Sequence, residues 1–127
     1  MAAADFVKAL QGTEEIELTV TGRVSGNKST RPVWFVLEGK TLYLLPVQGS
    51  DSEWYKNVLK HPTVTLAAEE AKWTGKAAPI MDPAKVHDVV ESFRTKYGAG
   101  DVKKYYTKLD VAVKVPLRRE TDTRVAP

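Results

Sequence analysis

The chain has 127 residues, 43% hydrophobic and 28% charged, with a net charge of +3. That suits one globular domain with one real core, and no run approaches the ~20 apolar residues of a membrane span. The absence of cysteine excludes disulfides, thiolate nucleophiles, iron–sulfur clusters and zinc–sulfur sites, and the mild, mixed charge favours an anionic small molecule over nucleic acid.

Met1 to Asp5 has no charged start followed by an apolar block, so no secretory signal is expected and the location reads as cytoplasmic. Asp5 to Leu10 predicts a short helix with Phe6, Val7 and Leu10 on one side and Gly12 beyond its end. Glu15 to Thr21 alternates: Ile16, Leu18 and Val20 face one way, the polar residues the other. That predicts a strand with one wet face.

The next stretch, Gly22 to Trp34, predicts a hairpin tip. It carries Arg23, Lys28 and Arg31, the hydroxyls of Ser25, Ser29 and Thr30, and no acid. Gly22 and Gly26 permit left-handed backbone angles. Such a loop suits a phosphate or another anionic tail, and equally suits a solvated hairpin tip.

Pro32 to Leu37 and Thr41 to Val47 are apolar on both faces, with Glu38-Gly39-Lys40 as the turn between them. One face needs the core; the other needs a helix, a partner subunit or a flat aromatic ligand. Ser50-x-x-Glu53 matches a capping box, so a helix is expected over Trp54 to Lys60, ended by Pro62. Trp54 and Asn57, three apart, point the same way on it.

Thr63 to Ala68 and Lys72 to Ile80 predict two further strands. Asp82-Pro83 starts a long helix carrying Val86, Val89, Val90, Phe93 and Tyr97, with Gly98 as its C-cap. A short helical piece, Asp101 to Thr107, bears Tyr105 and Tyr106. A last strand holds Val111, Val113 and Val115, and Pro116 ends it. The order predicts a mainly β, α+β fold: six antiparallel strands in a small closed or half-closed β-barrel with a few flanking helices. Residues 1–117 form the single domain, and 118–127 read as a polar, disordered tail. His61 and His87 read as solvated, and no metal site is expected.

Thr21-Gly22-Arg23-x-Ser25-Gly26, Pro32-Val33-Trp34, Gly49-Ser50 and Trp54-x-x-Asn57 together resemble the deazaflavin-dependent nitroreductase family. That family lies in the flavin-binding split β-barrel superfamily, beside the pyridoxamine-phosphate-oxidase-like proteins. The likeness runs from about Glu15 to Pro116. It departs at Val24, where the family often has lysine.

The resemblance makes the barrel a six-stranded antiparallel split β-barrel. It implies a reductase that uses reduced coenzyme F-420, an 8-hydroxy-5-deazaflavin. Acceptors would be quinones, nitroaromatics or enone-like small molecules. Arg23, Ser25, Lys28 and Arg31 would hold the phosphate and tail. Pro32, Val33, Trp34, Gln48, Gly49 and Ser50 would flank the ring, with Trp54 and Asn57 beside it. Tyr105 or Tyr106 would donate a proton or stack. The alternatives are an FMN-binding oxidoreductase of the same fold and a non-catalytic flavin or deazaflavin carrier; a homodimer is open.

Overall fold

A computed structural model describes residues 3–117. The expected tail, 118–127, lies outside the described residues. The elements in chain order are α1 (Ala3–Leu10), β1 (Glu15–Thr21), β2 (Lys28–Trp34), β3 (Val36–Glu38), β4 (Thr41–Leu44), α2 (Glu53–Lys60), β5 (Thr63–Ala68), β6 (Ala71–Lys76), β7 (Ala78–Ile80), α3 (Pro83–Tyr97), α4 (Ala99–Tyr105) and β8 (Ala112–Pro116). A single 3-10 turn, Gly49–Asp51, precedes α2.

The strands form two four-stranded sheets, ordered β2-β1-β5-β6 and β3-β4-β8-β7. All pairings are antiparallel. The six expected runs appear as eight strands because two runs bend. The second run breaks at Phe35, and the run expected over Lys72 to Ile80 breaks at Ala77. At each break the chain leaves one sheet and enters the other. These two crossings join the sheets into a split barrel.

The hairpin tip is shorter than its composition suggested. Lys28 to Arg31 belong to β2, leaving residues 22–27 as the loop. Gly26 takes the left-handed angle, φ +74°; Gly22 does not. The strand expected to reach Val47 stops at Leu44, because Pro46 has no N–H for a ladder and its carbonyl instead accepts from Gly49.

One hydrophobic cluster fills the barrel. Ile16, Leu18, Val20, Val64 and Leu66 meet Leu42, Leu44, Val113 and Val115 there, with Phe6 and Leu10 of α1 closing one side. A second cluster lies on the other face of the β3-β4-β8-β7 sheet. There Val36, Leu45, Ile80 and Ala112 pack against Val86, Val89, Val90 and Phe93 of α3 and Val102 of α4. The two-faced runs therefore need both coverings, and helices supply most of the second. Asp82 caps α3 by accepting from the Lys85 amide, as expected.

Candidate active site

The helices leave one part of the apolar strands open. A cavity of about 630 Å³ lies along β2 and under the start of α2. That volume is in the range of small-molecule sites. Four consecutive residues of β2, Arg31, Pro32, Val33 and Trp34, line it. Successive side chains of a strand alternate in direction, so the cavity meets β2 along its edge rather than on one face. Among the described residues β2 is an edge strand with β1 as its one sheet neighbour, which leaves part of its backbone without a ladder partner there.

Arg31 is the charged group of this wall. It is opposite Leu18 in the ladder, on the inward face of the sheet. Its Nε is buried and has no hydrogen-bond partner among the described residues; one guanidinium nitrogen reaches Ser29 Oγ at 3.4 Å. A buried guanidinium N–H without an acceptor is costly unless a ligand supplies one.

Trp34 forms the aromatic wall. Its ring stacks on Tyr97 at 4.3 Å with planes 5° apart, and meets Tyr105 edge-on at 5.5 Å. The Tyr97 hydroxyl accepts from the Phe35 amide at 3.1 Å and donates to the Glu14 carbonyl at 2.6 Å or the Phe35 carbonyl at 2.9 Å. α3 thus braces the bend from which Trp34 projects. Burial pushes the Tyr97 hydroxyl pKa up to about 12, with the Phe35 hydrogen bond working against it.

Trp54, Gln48, Tyr105 and Tyr106 complete the expected residues that reach the cavity. Tyr106 is buried, and burial followed by the nearby Tyr97 raises its pKa strongly. Tyr105 is 48% exposed, at the rim.

The other expected site residues are placed elsewhere. Lys28 and Arg31 are three apart on a strand, so they project from opposite faces, and Lys28 is exposed. Arg23 is occupied by α2: it donates to Asn57 Oδ1 at 2.7 Å and pairs with Glu53 at 3.0 Å. The same Asn57 oxygen accepts the Arg23 amide, so Asn57 docks the hairpin instead of facing the cavity. The hydrogen bond from Arg23 holds the Glu53 pKa below its ordinary value. Ser25 accepts from the Asn27 amide within the loop.

Gly49 and Ser50 do not line the cavity either. Ser50 is not a helix cap; its hydroxyl donates to Asp110 at 2.5 Å, since a carboxylate outcompetes a backbone group. The N-cap of α2 is Ser52, which makes no side-chain cap bond and accepts from the Gln48 amide at 2.8 Å. The expected capping box is therefore absent. Glu15, Leu45, Val47, Ser52 and Glu53 also line the cavity, unanticipated in the sequence. Leu45 and Val47 carried a signal, as apolar residues on either side of Pro46.

Residues 2–118 match the family model described as F420H(2)-dependent quinone reductase. The chain belongs to that family. It is an oxidoreductase whose cofactor is coenzyme F-420. None of the curated proteins compared matches it. Solved structures share its fold. An F420-H2 dependent reductase superposes with a TM-score of 0.63 at 21% identity, covering 80% of this chain and 93% of its own. A conserved hypothetical protein from Mycobacterium tuberculosis reaches 0.72 at 18% identity, covering 94% and 82%. A protein solved as a domain-swapped dimer reaches 0.64 at 20%, covering 90% and 99%.

Among the described residues no helix is long and apolar enough to cross a membrane. The residues of the cavity fit coenzyme F-420. The orphaned Arg31 Nε calls for an anionic acceptor, and Trp34 and Trp54 give the cavity an aromatic lining suited to a flat ring.

Proposed function

We propose that the cavity along β2 holds the deazaflavin and a quinone-like or other flat aromatic acceptor side by side. The single observation that carries this is the buried Arg31 Nε, without a partner among the described residues, on a strand whose other cavity residues are Pro32, Val33 and Trp34. Coenzyme F-420, when bound, supplies the hydride donor. The chain supplies position and exclusion of water.

Arg31 binds the anionic part. Pro32, Val33 and Trp34 seat the flat part along the strand edge, with Trp54 and Gln48 across from it. Tyr105 sits at the rim with its hydroxyl able to give a proton to the acceptor's oxygen. Tyr106, buried and with its proton held more tightly, packs the floor. The free β2 edge, with the dimeric relative of the same fold, supports a homodimer, which light scattering on the purified protein would read.

Titration with oxidised coenzyme F-420, followed by tryptophan quenching, tests the assignment. Hydrogen bonds to a charged group contribute about 1.5–3 kcal/mol, so Arg31→Ala weakens binding roughly ten- to hundredfold. Lys28→Ala, on the other face, binds as the parent does. Parental affinity in Arg31→Ala would remove the cavity as the anion site.

A further inference from the structure

The 3-10 turn Gly49–Asp51 and the loop between α4 and β8 lie sixty residues apart in the chain, yet one carboxylate joins them. Asp110 accepts the Ser50 amide at 2.9 Å on Oδ1 and the Ser50 hydroxyl at 2.5 Å on Oδ2. The Thr107 amide donates to the Val47 carbonyl at 2.9 Å, and the Thr107 hydroxyl to the same oxygen at 3.2 Å. Lys108 lies 3.1 Å from Asp51 and 3.7 Å from Asp110, across both segments.

Gly49 makes this approach feasible. Its φ is +56°, and a Cβ there would fall 2.1 Å from Asp110 Oδ1 and 2.9 Å from the Lys108 carbonyl. Either feature alone disfavours any other residue. Burial works against the Asp110 carboxylate, but the two Ser50 hydrogen bonds and Lys108 hold its pKa below the ordinary value.

Both sides of this clasp run into the cavity. Val47, Gln48 and Ser52 line it from one segment; Tyr105 and Tyr106 line it from the other. Asp110 does not line it. We propose that Asp110 is a positioning residue of the reductase: through Ser50 it fixes the Gln48 wall against the tyrosine wall. The proposal rests on the cavity being the cofactor site, and it gives Gly49 and Ser50 their role through Asp110 instead of through direct contact.

The test compares Asp110→Ala, Asp110→Asn and the milder Ser50→Ala with the parent. Amide exchange of the ligand-free protein reads the clasp directly. In Asp110→Ala, the Thr107 amide loses protection although its acceptor, the Val47 carbonyl, is untouched. If the open form then dominates at about nine to one, affinity for oxidised coenzyme F-420 falls about tenfold. Asp110→Asn, which can still accept the Ser50 amide, recovers part of both effects. Adding Ser50→Ala to Asp110→Ala weakens binding no further, because both remove one connection.

A lower melting temperature with parental affinity in Asp110→Ala would reduce the residue to a structural one and overturn the proposal. So would unchanged Thr107 protection. Where Arg31→Ala weakens binding and Asp110→Ala does not, the clasp alone is wrong. Where neither does, the cavity assignment has failed first.

Discussion

Arg31 and Lys28 differ in one respect that decides their use. Both are cations on the same short strand, but an odd spacing sends them to opposite faces, and Arg31 alone brings a buried donor to the cavity. Tyr105 and Tyr106 divide in the same manner. They are neighbours in sequence, yet one is at the rim and the other is buried with a raised pKa. In the proposed reaction the tyrosine placed to meet a substrate is Tyr105, at the rim. General acid catalysis is worth about a hundredfold or more, so Tyr105→Phe lowers kcat by about that factor and leaves deazaflavin affinity near parental. Steady-state rates beside a quenching titration separate the two quantities. An unchanged kcat would leave Tyr105 as a stacking residue only.

Between elements, the decisive contact is α3 on the bend that joins β2 to β3. Tyr97 satisfies the Phe35 amide, reaches the Glu14 and Phe35 carbonyls, and stacks on Trp34. Lys96 adds a hydrogen bond to the Phe35 carbonyl at 2.8 Å, with its ammonium 3.5 Å from the centre of the Phe35 ring. The folded pKa of Tyr97, about 12, lies above the unfolded value of about 10. The folded state therefore holds the proton more tightly in this window. The resulting stability is fully present below pH about 10 and is lost as pH rises toward about 12. Tyr97→Phe loses about 1–3 kcal/mol below that window, through the Phe35 amide left without its acceptor. Denaturant melts at several pH values would then show the parent falling more steeply than the variant between pH about 10 and 12. Parallel curves would mean that Tyr97 titrates alike in both states.

At the scale of the molecule, the β3-β4-β8-β7 sheet is shared by both hydrophobic clusters. Leu42, Leu44, Val113 and Val115 enter the barrel, while Val36, Leu45 and Ala112 enter the helical layer. Neither layer is complete without this sheet, which supports one cooperative domain. Phe93, a fully buried residue of α3, tests the coupling. Phe93→Ala costs about 3–5 kcal/mol and shifts circular dichroism and tryptophan fluorescence together in a single transition. Two separated transitions would divide the helical layer from the barrel and end the single-domain reading.

Alternation and capping made much of this legible from residues alone. The two-faced run of Val33 to Leu37 divides as its pattern demands: Val33, Phe35 and Leu37 go to the barrel, Trp34 and Val36 to the helices. Asp82 and Gly98 bound α3 because their local chemistry has no strong competitor. The hairpin motif points to the family, while the fold decides where each of its side chains sits. Composition places Arg23, Lys28 and Arg31 in one stretch; only the fold pairs Arg23 with Glu53 and turns Lys28 outward. Asp110, Tyr97 and the emptied capping box were not legible for the same reason. Each depends on a partner sixty or more residues away, and pattern reading weighs only near neighbours. Strand periods and caps are local energies and can be read along the chain. Which side chain faces the cavity is settled by long-range competition for hydrogen bonds, and only the folded molecule resolves that.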